Sequence, residues 1–129
     1  MTKDEIVKRW LEGSEDAWMT AQSLFESKRF HHCLFFVQLA LEKLIKALTY
    51  HLLDDHPVST HNLVLLVQKL NLNISIEMEL QLTEISAFNI SARYDDIKQA
   101  LYKKATLEYT KEWMDTTEKL MNYFRSMIK

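Results

Sequence analysis

Glycine and proline each occur once in this chain of 129 residues, as Gly13 and Pro57. An average chain of this length would hold about nine glycines and about six prolines. Tight hairpins and phosphate-binding loops need glycine, because their backbones adopt left-handed conformations or approach a ligand closely. The scarcity of both residues argues against β-sandwiches, Rossmann folds and P-loops, and it predicts an all-α protein.

The length fits one domain, since domains usually span roughly 100–200 residues, and we expect a single domain over residues 1–129. The formal net charge of -2 lacks the basic surplus of a general nucleic-acid binder. The single cysteine, Cys33, permits no internal disulfide and no cysteine-based zinc site. No apolar run reaches the roughly 18 residues of a membrane span, and Met1 to Ile6 is not a signal peptide. We therefore expect a cytoplasmic protein without membrane contact.

Apolar residues recur at steps of three and four along most of the chain, which is the spacing of amphipathic helices. The pattern predicts five helices, over Ile6–Phe25, Phe30–Leu53, His61–Leu70, Ile74–Ser91 and from Tyr109 to the C-terminus. Thr2, with Glu5 three residues later, is the expected N-cap of the first helix. Ser59 or Thr60 is the expected cap of the third, and Pro57 prevents the second from continuing.

The remaining pattern completes a predicted bundle. In the predicted fourth helix, Ile76, Leu80, Thr83, Ala87 and Ile90 recur at helical spacing. Gly13 marks either a close helix contact or a break in the first helix. The stretch Ala92–Lys104 loses the apolar period, and we interpret it as a loop. Together these elements predict an up-and-down helical bundle of about five helices, with a four-helix-bundle core plus one short helix.

Few residue patterns in the chain indicate catalysis. The five histidines lack HExxH spacing, and no serine lies in a GxSxG elbow. The paired acids Asp54-Asp55 and Asp95-Asp96 fall in predicted loops, where we interpret them as solvated. Glu42 and Lys46 stand four residues apart, and as a solvent-exposed pair they would contribute about 0.3 kcal/mol. We expect no metal site and no cofactor.

The segment from Ser91 to Asp96 is different, because it concentrates a guanidinium, a phenol and two carboxylates after a helix end. Arginine binds phosphate in a bidentate manner, and a neighbouring aromatic ring can stack a base. Arg93 and Tyr94 are therefore candidates for ligand binding. In the alternative interpretation, Arg93 pairs with Asp95 or Asp96 and only stabilises the loop.

Three segments in order resemble the HEPN family, whose name stands for higher eukaryotes and prokaryotes nucleotide-binding. Gln38–Ala47 matches a Q-x-A-x-E-K-x-x-K-A helix, and Thr60–Leu63 matches T-H-x-L. Ala92–Asp96 resembles A-R-Y-P-D, with Asp95 in place of the proline. Together with the predicted order of helices, the resemblance covers nearly the whole chain. The resemblance implies a five-helix bundle, commonly a homodimer, which often works with a minimal nucleotidyltransferase.

Some members of the family are metal-independent ribonucleases, in which the arginine and histidine of an R-x(4-6)-H motif meet across the dimer interface. The resemblance makes Arg93 the candidate arginine, but Lys98, Gln99 and Ala100 occupy the positions of the histidine. No histidine follows His61. Because RNA cleavage needs a group that takes a proton from the 2′-hydroxyl, the missing histidine predicts a non-catalytic binding module for a nucleotide or an RNA end.

Two alternatives to this binding module remain open. The first is a toxin-like ribonuclease that uses Arg93 together with another base, either His61 or Lys98. The second is a helical adaptor without a ligand. The candidate ligand-binding residues are therefore Arg93, Tyr94, Asp95, Asp96, Lys98, Lys46 and His61.

Overall fold

The structure, a computed structural model, describes the backbone of residues 1–90 and 95–128, and their side chains except at 90 and 95–98. These residues form six helices and no strand, namely α1 (Lys3–Glu26), α2 (Phe30–Leu53), α3 (Leu63–Gln68), α4 (Ile76–Ile90), α5 (Asp95–Lys104) and α6 (Leu107–Arg125). Helices α1, α4 and α6 all pack against α2, and α1 makes the most extensive contact with it. The predicted all-α bundle is confirmed.

Helix α2 lies at the centre of the bundle because its apolar residues cover more than one of its faces. A helix of this kind needs neighbours on several sides, and burying one leucine side chain contributes roughly 1.5–3 kcal/mol. Within the described part of the chain, no helix is both long and apolar enough to cross a membrane. The fully buried apolar residues of α2 are Cys33, Leu34, Val37, Ala40, Leu41, Leu44, Ile45, Ala47 and Leu48.

The first helix starts as expected and runs without a break. Thr2 accepts a hydrogen bond from the N–H of Glu5 at 3.2 Å, which confirms the predicted N-cap. Gly13 lies inside α1, so the predicted alternative of a helix break is wrong. A Cβ atom at Gly13 would lie only 3.2 Å from Cδ of Lys43 on α2. The glycine therefore provides room for the lysine stem, which confirms the close contact.

Helix α3 begins two residues later than the sequence pattern predicts, because a different residue caps it. The side-chain oxygen of Asn62 accepts hydrogen bonds from two N–H groups of the first turn, at 3.0 and 3.3 Å. Ser59 and Thr60, the expected caps, lie before the helix. Asparagine caps as well as serine does, so the pattern allowed several starts. His61 consequently precedes the cap and is not part of the helix.

The stretch Ala92–Lys104 was expected to be a loop, and this expectation is wrong for the described part, where α5 runs from Asp95 to Lys104. Asp95 and Asp96 begin the helix, whereas Lys103 and Lys104 end it. Acids near the N-terminus and bases near the C-terminus of a helix are stabilised by its macrodipole. The charged residues that interrupt the apolar spacing in the sequence are therefore the ones that stabilise the two ends of α5.

Helix α4 is where the sequence predicts, but the residues whose spacing indicates the helix do not face the core. Ile76 and Leu80, the first two members of this stripe, are 78% and 65% exposed. Thr83 and Ala87, the next members of the same stripe, are also exposed. Both faces of α4 carry apolar residues at steps of three and four, so the period fits either. The core face consists of Leu82, Ile85 and Phe88.

Cys33 is packed inside the bundle. Its Sγ lies 3.6 Å from Sδ of Met114 on α6. Burial raises the pKa of the Cys33 thiol to about 12, so the group stays a thiol at neutral pH. Because the thiolate is the reactive form, this cysteine serves packing and is unsuited to nucleophilic chemistry.

Candidate functional site

A buried hydrogen-bond network centred on Glu42 joins two of the segments that carry the family resemblance. The Glu42 side chain is only 4% exposed. Its Oε1 accepts hydrogen bonds from Nε2 of Gln38 and from Nδ1 of His61, both at 2.9 Å. Its Oε2 accepts one from Nζ of Lys46, also at 2.9 Å. The structure thus brings Lys46 and His61, two of the candidate residues, onto the same carboxylate.

Gln38 extends this network to the end of α4. Its Nε2 also donates to the main-chain oxygen of His61 at 3.0 Å, and its Oε1 accepts from Nδ2 of Asn89 at 3.1 Å. Gln38 is fully buried and Asn89 is 3% exposed. Both amide hydrogens of Gln38 are therefore used. One side chain ties α2 to the segment before α3 and to the C-terminal turn of α4.

A second hydrogen-bond chain fixes α3 against α4. The N–H of Leu63, the first residue of α3, donates to Oγ of Ser86 at 2.9 Å. The same hydroxyl donates to the main-chain oxygen of Leu82 at 2.7 Å. Ser86 is buried, so both bonds are shielded from water. The position of His61, just before α3, is therefore determined from two sides.

Glu42 carries its negative charge inside the protein. Burial alone would raise the pKa of its carboxyl, but hydrogen bonds from Gln38, Lys46 and His61 outweigh burial and hold this pKa below its ordinary value. An ionised carboxylate only accepts hydrogen bonds. Nδ1 of His61 must therefore carry the hydrogen that it donates to Glu42, and this bond fixes the orientation of the imidazole.

Lys46 is buried more deeply than the sequence suggested. Its side chain is 13% exposed, so the interpretation of Glu42 and Lys46 as a solvent-exposed pair is wrong. The Nζ atom also lies 5.5 Å from the centre of the Trp10 ring on α1, a distance typical of a cation–π contact. The ammonium of Lys46 is therefore held between α1 and α2.

A smaller polar cluster around Glu84 holds α5 in place. Nζ of Lys104 donates to its Oε2 at 2.7 Å, and the Tyr109 hydroxyl donates to the same oxygen. Burial would raise the pKa of Glu84, yet these hydrogen bonds keep it below its ordinary value. Burial and the neighbouring Glu84 raise the pKa of Tyr109 above its ordinary range. The phenol therefore stays protonated and links α6 to α4.

The segment after α4 falls mostly outside the described residues. Arg93 and Tyr94 belong to residues 91–94, which the structure does not describe. Asp95, Asp96 and Lys98 lie in the first turns of α5, but their side chains are also outside the description. The two interpretations of Arg93, a phosphate ligand or an ion pair, therefore stay predictions.

The other pair of acids, Asp54-Asp55, is solvated as expected. The Asp55 side chain is 61% exposed and lies 3.2 Å from Nζ of Lys69. A hydrogen bond from the N–H of His56, together with Lys69, lowers the pKa of Asp55. Among the described side chains, no group of three His, Cys, Asp or Glu residues is placed to hold a metal ion.

Sequence reasoning missed Glu42 and Asn89 as parts of a site. Glu42 stood out only as a helix-surface acid, because charged residues on a helix usually mark its solvated face. Its position in the motif segment Gln38–Ala47 was the available signal. Asn89 gave no local signal, since its partner Gln38 is 51 residues away in the sequence.

Comparisons with known proteins place the chain in a family. The family model of the HEPN domain matches residues 7–127. No curated protein sequence matches the chain. The solved structure of TT1696 from Thermus thermophilus is similar, with 19% sequence identity, a TM-score of 0.79, and coverage of 95% of this chain and 98% of that chain. At this identity the likeness supports the fold alone. Because the family model spans nearly the whole chain, this protein belongs to the HEPN domain family.

Proposed function

We propose that this protein is a non-catalytic HEPN-type binding module, which binds a nucleotide or an RNA end and works beside a minimal nucleotidyltransferase. The network around Glu42 is the observation that carries this proposal. Its carboxylate accepts three hydrogen bonds from within the protein, and one of them comes from Lys46. A proton taken up by Glu42 would disrupt these bonds. In this proposal, Glu42 and Lys46 therefore stabilise the fold and do not transfer protons.

The region after α4 supports binding more than cleavage. It keeps Arg93, whose guanidinium suits a phosphate, but Lys98, Gln99 and Ala100 occupy the positions of the histidine in the ribonuclease motif. Lysine is a poor base near neutral pH, because its amine is ordinarily protonated there. The hydrogen bond between Asn89 and Gln38 fixes the end of α4, four residues before Arg93.

A second function, a metal-independent ribonuclease, is favoured by the orientation of His61. The bond from Nδ1 to Glu42 leaves Nε2 as the basic nitrogen of the neutral ring. A carboxylate that orients an imidazole in this way is the arrangement found in catalytic triads. The His61 side chain is 43% exposed. In this alternative, Nε2 takes the proton of a 2′-hydroxyl while Arg93 binds the phosphate.

The first test measures RNA binding and RNA cleavage together. Purified protein is incubated with labelled structured RNA in the presence of a chelator, and the products are run on native and denaturing gels. We expect binding without cleavage. Arg93→Ala should weaken binding about tenfold, because a charge-assisted hydrogen bond contributes roughly 1.5–3 kcal/mol. Lys111→Ala, which removes an exposed lysine of α6, is the control and should bind like the wild type.

Other results of this assay would support the ribonuclease or the adaptor without a ligand. Cleavage by the wild type that disappears in both Arg93→Ala and His61→Ala would identify a ribonuclease and contradict the binding module. A lower melting temperature of Arg93→Ala, with RNA binding absent in the wild type, would support the adaptor without a ligand.

We also propose that two copies of the module form a homodimer through α4. The exposed stripe of this helix is bulky at Ile76 and Leu80 and small at Thr83 and Ala87. In an antiparallel pair related by a two-fold axis, Ile76 would lie opposite the partner's Ala87, and Leu80 opposite the partner's Thr83. Large side chains would then meet small ones, which is how well-packed helix interfaces interlock.

Leu80→Glu is expected to separate this dimer. The substitution places a charge, together with its two-fold copy, in the centre of the proposed interface, and it should weaken association about 100-fold or more. Sedimentation velocity over a range of protein concentrations measures the effect. Leu107→Glu changes another leucine, 46% exposed on α6, and should leave the dimer intact. A wild type that stays monomeric, or equal association of both variants, would rule out the α4 interface.

A further inference from the structure

A basic and aromatic cleft lies where α1 ends, α2 begins and α5 passes by. Its volume is about 390 Å³, which is within the range of small-molecule sites. No acidic side chain lines it among the residues described. The polar and aromatic residues of its wall are Lys28, Arg29, Phe30, His31, His32 and Tyr102.

Aromatic rings stand next to one another in this cleft. Tyr102 is 62% exposed. Its ring centre lies 5.0 Å from that of His31, which in turn lies 4.0 Å from the ring centre of His32. Exposed aromatic rings beside basic side chains are the usual elements of single-stranded nucleic-acid sites, because a ring stacks on any base.

The backbone of the α1–α2 turn adopts a conformation that disfavours the residue it carries. Lys28 has a φ of 63°, in the left-handed region, where glycine or asparagine usually ends a helix. The turn is closed by hydrogen bonds from the N–H of Lys28 to Phe25 and from the N–H of Arg29 to Leu24. A lysine in this place costs folding free energy, and such strain often accompanies a functional role.

The start of α2 adds to the positive character of this cleft. Its first turn contains no acid, and the Arg29 side chain makes no capping hydrogen bond. The N–H groups of a first helical turn lack acceptors within the helix, and the macrodipole is positive there. Phe30, His31 and His32 of this turn line the cleft, so the helix end and the basic side chains act on the same space.

We infer that this cleft binds one nucleotide unit of single-stranded RNA, with its phosphate at Lys28 and Arg29 and its base stacked on Tyr102. The inference rests on the proposed function, because it names a site for the RNA that the module binds. A guanidinium pairs with two phosphate oxygens. The combination of cations and aromatic rings in one cleft matches a nucleotide, whereas inorganic phosphate would use only the cations.

The test is fluorescence anisotropy with a labelled single-stranded oligoribonucleotide, competed by AMP or by inorganic phosphate, at several salt concentrations. Arg29→Ala should raise Kd about tenfold, and it should reduce the slope of log Kd against log salt by about 0.7, the value for one phosphate contact. Tyr102→Leu should raise Kd about tenfold as well, with an unchanged slope, because stacking involves no counterion.

Lys28→Gly separates the role of this lysine from its effect on folding. Glycine suits the left-handed backbone, so the melting temperature should stay equal or rise, while Kd rises about fivefold. Lys111→Ala is the charge-matched control and should bind like the wild type. A structural role of Lys28 alone would change the melting temperature and leave Kd unchanged, which would contradict the inference.

Two further outcomes overturn the inference in different ways. Wild-type RNA binding that is unaffected in all three cleft variants would reject the cleft and leave the proposed function intact. Absence of RNA binding by the wild type would reject both. Displacement of the oligonucleotide by inorganic phosphate as readily as by AMP would contradict the assignment of the base to Tyr102.

Discussion

Replacing Glu42 by alanine should lower the free energy of unfolding by about 3–5 kcal/mol. Its carboxylate neutralises Lys46 and accepts hydrogen bonds from Gln38 and His61 in the interior. Without the carboxylate, the ammonium of Lys46 and the amide N–H of Gln38 lose their acceptor where water has little access. Leaving such groups unsatisfied is far more costly than losing a surface ion pair.

Glu12 provides the matched control for this experiment. It also pairs with a lysine four residues away, Lys8, at 3.9 Å, but the two side chains are 66% and 78% exposed. Glu12→Ala should therefore change the free energy of unfolding by less than about 0.5 kcal/mol. Urea unfolding followed by circular dichroism measures both variants. Equal losses in the two would show that water replaces Glu42 as the acceptor, and the structural role of the network would be wrong.

The pH dependence of stability gives a second measure of the same carboxylate. The pKa of Glu42 is lower in the folded protein than in the unfolded chain, where a glutamate titrates near about 4.3. The unfolded chain therefore takes up this proton first as the pH falls. The stabilisation by Glu42 is present above this pH and is lost below it as the folded carboxyl protonates. Glu42→Gln lacks this component, so its stability difference from the wild type should shrink at acid pH.

The network shows which part of the site the sequence could predict. Gln38, Glu42 and Lys46 follow one another at steps of four, which places them on one face of a helix. Their burial was not predictable from this spacing, because it depends on how α1 and the segment before α3 pack over that face. Trp10 and His61 provide this cover from distant parts of the chain.

Helix α5 was also not predictable from the local sequence, because it depends on a contact with a distant part of the chain. Its sequence carries charges at both ends and few apolar residues between them, a pattern that resembles a solvated loop. The macrodipole makes these charges favourable in a helix, and the Lys104 to Glu84 ion pair then holds its end against α4. That long-range contact is absent from any local pattern. Helix α5 was therefore missed altogether, whereas the four long helices and the short helix α3 were predicted within a few residues.

Leu82→Ala should lower the free energy of unfolding by about 2–5 kcal/mol, because it leaves a cavity in the core. In protein dilute enough to be monomeric, Leu80→Ala removes the same atoms two positions earlier and should lower it by less than about 0.5 kcal/mol. Leu82 is fully buried, whereas Leu80 is 65% exposed. The sequence pattern includes Leu80 in its helical spacing and does not include Leu82, so it gives no sign of this order.

The two stripes of α4 have the same spacing and differ only in register. One starts at Ile76 and the other at Met78, which packs against the core, and an offset of two residues turns the face by about 200°. Periodicity alone cannot choose between them. The buried stripe even ends in a polar residue, Asn89, which lowers its apparent hydrophobicity. Its hydrogen bond with Gln38 satisfies the amide in the interior and makes that face the stable one.

Urea unfolding at two protein concentrations distinguishes the loss of core packing within one copy from the loss of contacts between two copies. Leu82→Ala should show its loss at every concentration, because the cavity lies within one copy. If α4 joins two copies, Leu80→Ala should lose only the part of the stability that grows with protein concentration, since association stabilises the folded state by mass action. A large loss for Leu80→Ala in dilute protein, with Leu82→Ala close to the wild type, would mean that α4 packs with its other face inward. The exposed stripe and the interface proposed on it would then both be wrong.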